Sequence, residues 1–242
     1  MTEAVTLLGG QVVANQVASG FRSGLDAVLL GASIQAQLNE NLLEFGCGSG
    51  AATLVAAFHN ADSRFDAFDI DPAMVDLAQS NIAANGWTDR IGVCPGDVAD
   101  FAGASAMDQV FFNPPFFDDA SVLASPSEGK RRAYLAGNTP LESWLKRANQ
   151  VLKPKGRLTL IHRADRLDDI LVMSRKWFGD VVVKPIAPYA DQSAKRVLVS
   201  ARKGVKGRLT LLSPLVLHDG SDRQYTEEAE AVLRGSDRIV VR

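Results

Sequence analysis

Apolar residues along this chain change their spacing in a regular way. From residue 41 onward, short apolar runs alternate with stretches whose apolar positions recur every three or four residues. The runs Leu42 to Phe45, Phe65 to Asp69, Ile91 to Val93, Gln109 to Phe112 and Arg157 to His162 read as strands. Ala51 to His59, Pro72 to Asn85, Leu141 to Leu152 and Asp165 to Phe178 read as helices. Pro72 suits a first helical position, where its missing N–H has no partner to lose, and Gly86 suits the left-handed residue after a helix. Strand and helix in alternation predict an α/β protein with a parallel sheet. Beyond residue 180 strand follows strand, at Val181 to Ile186, Arg196 to Ala201 and Leu209 to Leu217, so antiparallel pairing at the sheet edge is expected. Leu7 to Val13, folded about Gly9-Gly10, reads as a small hairpin, followed by a helix from Leu25 to about Gln37.

With 242 residues, 46% of them hydrophobic, the chain can bury one substantial core as an elaborated single domain. Cys47 and Cys94 form no disulfide framework, and His59, His162 and His218 have no metal-binding spacing, so no metal is expected. There is no charged-then-apolar leader, and no apolar run approaches the roughly 18 residues of a membrane span, so no membrane association and a cytoplasmic location are expected. The net charge of -2 conceals an asymmetry: of 26 basic and 28 acidic residues, residues 1–100 hold three and twelve, leaving 23 and 16 for the remaining 142. Lys130-Arg131-Arg132 and Lys195-Arg196 belong to this basic part, which can meet a polyanion such as RNA.

Candidate chemistry sits at the strand ends. Glu44-Phe45-Gly46-Cys47-Gly48-Ser49-Gly50 ends the first long strand, and its glycines permit a sharp turn and close approach of a ligand. The loop alone fits a nicotinamide cofactor as well as S-adenosylmethionine. Asp69 ends the second strand where a carboxylate can accept two ribose hydroxyls, while Asp71, before Pro72, reads as a helix cap. Pro95-Gly96-Asp97-Val98 adds an acidic residue after the third strand. The fourth strand delivers Asn113-Pro114-Pro115-Phe116. There an amide oxygen and a prolyl carbonyl can accept both hydrogens of a planar amine while a Phe ring stacks on its plane. No Tyr-Lys pair or His follows these strands to handle a hydride, which favours methyl transfer over an oxidoreductase. The patternless stretch from Phe117 to about Gly137 follows the Asn-Pro-Pro-Phe turn and would overhang its ligand.

With these motifs in order, the chain resembles the class I S-adenosylmethionine-dependent methyltransferases, and among them the tRNA1(Val) adenine N6-methyltransferases, which modify adenine 37 beside the anticodon. Phe21 to Ala32, Ala194 to Val199, and Leu215-Val216-Leu217 with Asp222 to Ala229 carry the closer likeness. The resemblance implies a Rossmann-like, mostly parallel seven-stranded sheet with helices on both faces. It implies an N-terminal hairpin and helix over residues 1–40, packed on a methyltransferase domain over residues 41–242. Carried onto this sequence, it places Gly46, Gly48 and Gly50 along the methionine and ribose of S-adenosyl-L-methionine, with Glu44 toward the amino end. Asp69 with Ile70 would line the ribose side, Asp97 and Val98 would flank the cofactor adenine, and Asn113, Pro114, Pro115 and Phe116 would hold the target base, with Asn113 also touching the cofactor. Arg22 and Asp26 would close the site from the N-terminal side, and Arg22, Lys130, Arg131, Arg132, Lys195 and Arg196 would meet RNA. The family commonly has Tyr where this chain has Phe116, and Phe occurs in resembling enzymes that methylate the 2-amino group of guanine in ribosomal RNA. The expected substrate is thus a tRNA adenine, with rRNA guanine or a protein glutamine amide as alternatives. A silent RNA-binding protein with the same fold is the reading from a different class.

Overall fold

The computed structural model of the protein describes residues 2–17, 24–100, 105–115 and 139–241. Arg22, Phe116, Lys130, Arg131, Arg132 and the stretch from 117 to 137 lie outside the described residues.

The N-terminal segment makes two small antiparallel pairs, β1 (Thr2–Glu3) with β4 (Gln16–Val17) and β2 (Thr6–Leu7) with β3 (Val12–Val13). The expected hairpin is therefore present, its turn a single 3-10 turn over Leu8–Gly10. Leu8, Val12 and Ala14 are buried against α1 (Leu25–Ser33) and its surroundings. Helix α1 stops at Ser33 and not near Gln37. Asn60 captures the exit: its Nδ2 donates to Ile34 O at 3.0 Å and its Oδ1 accepts from Ala36 N at 3.0 Å, so the backbone is claimed by a side chain instead of a next helical turn.

The alternating part follows the hydrophobic pattern closely. In chain order it comprises β5 (Asn41–Phe45), α2 (Ala51–His59), β6 (Arg64–Asp69), α3 (Pro72–Ala84), β7 (Ile91–Pro95) and β8 (Met107–Phe112). Then come α4 (Leu141–Val151), β9 (Leu152–Arg163), α5 (Leu167–Ser174), β10 (Phe178–Ala187) and β11 (Arg196–Lys203). The long strands lie in the order β10-β11-β9-β8-β5-β6-β7. All neighbours from β9 to β7 are parallel, and β11 runs antiparallel to both β9 and β10. The apolar residues Leu42, Leu43 and Phe45 of β5 and Val110 to Phe112 of β8 are buried on both faces of the sheet. Gly31 lets α1 approach α2: a Cβ there would lie 2.6 Å from both Ala52 O and Val55 Cβ. Asp71 caps α3 as expected, its Oδ1 accepting from Ala73 N at 2.9 Å.

Three expectations need correction. The helix expected over Asp165 to Phe178 is shorter, because the chain turns at Ser174 to Trp177 and gives Phe178, 5% exposed, to the sheet core. The single strand expected over Leu209 to Leu217 is two short ones, β12 (Thr210–Leu211) and β13 (Leu215–Val216), split at Pro214, which has no N–H to donate to a ladder. Both run parallel to β10, so the seven long strands carry two further short ones at that edge. Helix α6 (Glu227–Leu233), capped by Thr226 Oγ1 accepting from Ala229 N at 3.2 Å, was not anticipated. Its buried Ala229 and Val232 join the same cluster as Leu8 and α1. Among the described residues no helix is long and apolar enough to cross a membrane.

Candidate active site

Sheet register builds the site. Phe45 pairs with Phe68 on one side and Phe112 on the other, and Phe68 with Cys94. One residue further along each strand therefore brings Gly46, Asp69, Pro95 and Asn113 into one row at the carboxyl edge. Beneath that row lies an aromatic floor. Phe45 and Phe112 stack with centroids 5.8 Å apart and planes 4° from parallel, and Trp144 of α4 tilts against both. These rings are buried and fix the heights of the strand ends.

The glycine turn is held open by Asp69. Gly46, Gly48 and Gly50 all take positive φ, and a Cβ on Gly48 would meet nothing within 4 Å, so its backbone borders open space where a ligand can lie. Gly48 N donates to Asp69 Oδ2 at 2.7 Å, and Asp71 N donates to Oδ1 at 2.9 Å. Burial raises the Asp69 pKa, while the two backbone N–H groups oppose that rise. The carboxylate thus shapes the turn and keeps lone pairs for further donors. Ile70 beside it is 39% exposed, an apolar surface at the site's rim.

Glu44 lies under the turn, 3% exposed and hydrogen-bonded to Thr53 Oγ1 of α2. Burial raises its pKa from 4.5 to about 8, so it is largely protonated at neutral pH. The folded state then keeps a proton that the unfolded chain releases above its own pKa. Stability conferred by this position falls as pH rises from 4.5 to about 8 and is level beyond. Glu44→Gln keeps an acceptor for Thr53 and removes the titration. Its unfolding free energy relative to wild type is expected to climb across that window by a few kcal/mol, roughly 1.4 per pH unit at most. Denaturant melts at pH 5 and pH 8 check this, and a constant difference would mean that Glu44 is ionised in the folded protein.

Asn81 is a residue the motifs did not disclose. It is 0% exposed on α3, and its Nδ2 donates to Ser49 O at 3.0 Å, in the glycine turn, and to Asn15 O at 2.9 Å. Its Oδ1 accepts from Asn15 N at 2.8 Å, and Asn85 treats Val13 the same way, with bonds of 3.0 and 2.7 Å. One buried amide thereby ties the turn to the N-terminal strands. The sequence signal is two Asn four apart on one helix face, a residue type that otherwise disfavours helix interiors.

Asn113 leaves β8 half-buried, and among the described residues its side-chain amide has no hydrogen-bond partner. Pro114 is buried and Pro115 half-buried behind it. Asp97 is half-buried at the same edge, its Oδ1 accepting from Ala99 N at 2.8 Å, the geometry of a turn former. Val98 packs into the core at 5% exposure, and Arg147 of α4 donates to its carbonyl at 3.1 Å. Strands β9, β11 and β10 run on past the level of Asn113, where Arg163, Arg196 and Ile186 stand side by side as one wall of the site. Arg196 pairs with Asp26 of α1 at 2.8 Å, which joins two residues expected to act separately, while Lys195 is exposed. His162, beside this wall, is held near a pKa of about 4, first by burial and then by the charges of Arg166, Arg163 and Arg196, so its ring is neutral at physiological pH.

A parallel sheet with an antiparallel last strand, a glycine turn after β5, a carboxylate after β6 and an open amide after β8 define a Rossmann-like methyltransferase fold. The chain belongs to the methyltransferase small domain family, whose profile matches residues 22–183. It is 30% identical over 221 residues to a tRNA1(Val) (adenine(37)-N6)-methyltransferase of Dickeya chrysanthemi, covering 87% of this chain and 85% of that one. A Porphyromonas gingivalis protein of the same name is 34% identical over 165 residues, 64% of each chain. Among solved structures, a predicted O-methyltransferase from Agrobacterium tumefaciens superposes with a TM-score of 0.74 at 22% identity, over 89% of this chain and 99% of that one.

Proposed function

We propose that this protein transfers the methyl group of S-adenosylmethionine to the N6 amine of adenine 37 in a tRNA anticodon loop. The observation that carries the reading is the Asn113 amide, without a hydrogen-bond partner among the described residues and in one row with Gly46 and Asp69 above a stacked aromatic floor. The cofactor fits what this edge offers. The open backbone of Gly48 accommodates a ligand against the turn, Asp69 has lone pairs left for ribose hydroxyls, and exposed Ile70 gives the adenine an apolar contact. When bound, S-adenosylmethionine supplies an activated sulfonium methyl, so the protein needs no strong base.

The chain's own residues orient the acceptor. An exocyclic amine is a weak nucleophile because its lone pair is spread into the ring. Asn113 Oδ1 and the Pro114 carbonyl accept its two hydrogens, favour a pyramidal nitrogen and stabilise the positive charge that grows on it. The aromatic floor and the adjoining end of β9 fix where the base can stand, an orientation effect worth several kcal/mol of barrier. The proton then leaves to water. An anticodon-loop base is unpaired, so its extrusion into the site is cheap. The likeness to enzymes named for adenine 37 supports the choice of substrate.

Nucleoside mass spectrometry of tRNA from cells with and without this protein tests the reading. N6-methyladenosine at position 37 of one tRNA is expected to disappear and to return when purified protein and S-adenosylmethionine are added. An unchanged tRNA profile with loss of N2-methylguanosine from rRNA would replace adenine by guanine.

A further inference from the structure

Three rings stand in file at the far end of the same sheet edge. Tyr189 and His218 have centroids 5.4 Å apart, and His218 and Tyr225 stack at 5.3 Å with planes 21° apart. Strand β10 ends at Ala187 and β13 at Val216, both on the side of the sheet from which Asn113 emerges. The loops that follow are zipped together, Leu217 N donating to Ala187 O at 2.9 Å and His218 N to Pro188 O at 2.8 Å. His218 Nδ1 faces Gln224 O and so carries the proton that it donates there. Tyr225, at the inner end of the file, packs against the core, while Tyr189, at the outer end, is 39% exposed. The outer ring is thus supported from beneath.

Its surroundings restrict what it can receive. Ala190, Asp191, Gln192 and Ser193 follow it and are exposed, so among the described residues its own loop offers no large apolar side chain to seat a hydrophobic partner. Charge here leans acidic, three basic residues against five carboxylates. Arg223 sits between Glu227 at 2.8 Å and Asp219 at 3.7 Å, Arg196 is paired with Asp26, and exposed Lys195 stands against exposed Asp191 and Asp222. A polyanion is therefore not drawn here by charge alone. A flat π-face suits an unpaired base.

We propose that Tyr189, backed by His218 and Tyr225, is a stacking platform for an unpaired base of the RNA substrate that flanks the target nucleotide. The inference rests on the RNA reading of the active site. Three strand spacings separate β8 from β10, about 14 Å, too far for the target base and within reach of a neighbour in the same loop.

Steady-state methylation of an anticodon stem-loop by wild type, Tyr189→Ala and Tyr189→Phe tests it. Tyr189→Ala is expected to raise KM for RNA on the order of tenfold, with kcat and cofactor affinity unchanged, and Tyr189→Phe to behave as wild type. Because neither substitution changes a charge, the salt dependence of RNA binding should keep its slope in both variants. An alanine variant with KM within about twofold of wild type, or a phenylalanine variant as impaired as alanine, overturns the platform while leaving the methylation reading intact. If wild type methylates no RNA, the methylation reading falls and the platform with it.

Discussion

Replacing Asn113 by alanine is expected to lower the methylation rate by about 10²- to 10³-fold, the loss seen when one preorganised charge-stabilising group is removed from an active site. Affinity for the cofactor should stay close to wild type, because the glycine turn and Asp69 do not depend on this side chain. The Asn113 side chain makes no hydrogen bond among the described residues, so its removal unpairs none of them and stability should hold. Asn113→Asp refines the test. It keeps acceptor oxygens but brings a charge, which binds an amine's hydrogens at least as well in the ground state while altering the field at the reacting nitrogen. Single-turnover rates with saturating cofactor and RNA separate the step. Equal loss of cofactor affinity and rate would mean that Asn113 shapes the cofactor site and does not grip the base.

The residues that could be read in advance share one property: their signal is local. Val110 to Phe112 is recognisable as a buried strand because both faces are covered and its apolar run is unbroken, whereas Phe65 to Asp69 is recognisable by alternation, with Phe65, Ala67 and Phe68 buried and Asp66 exposed. The glycine turn is legible because only glycine readily takes the positive φ observed at Gly46, Gly48 and Gly50. Contacts made across the chain are not legible in this way. Asn81 meets Asn15 across 66 positions, and Arg196 meets Asp26 across 170, and neither residue type announces its partner. The early end of α1 has the same origin, since Asn60 claims Ile34 and Ala36 from 26 and 24 positions away. Helix α6 is a different case. Thr226 followed by Glu227 and Glu228 is a readable cap with acidic residues in the first turn, but the helix is short and its burial depends on the N-terminal hairpin.

Asp69 is expected to show the opposite split from Asn113. Its two oxygens already accept from Gly48 N and Asp71 N, at 2.7 and 2.9 Å, so it acts on the cofactor both through the turn and directly. Charge-assisted bonds of this kind contribute about 1.5–3 kcal/mol each, and Asp69→Ala should weaken binding of S-adenosylhomocysteine by roughly 10- to 100-fold. Asparagine should not rescue it. One end of its amide is an NH2 group, which would face either the Gly48 or the Asp71 N–H, donor against donor. A residue that only accepted ribose hydroxyls would tolerate asparagine better, since the remaining oxygen could turn to the ligand. The asparagine variant therefore distinguishes a carboxylate that builds the turn from one that merely touches the cofactor. With cofactor raised to saturation, both variants should recover most of the wild-type rate, because the Asn113 grip on the acceptor is untouched. Calorimetric affinities near wild type for Asp69→Ala would detach the carboxylate from the cofactor, and a rate that stays low at saturation would place it in the transfer step itself.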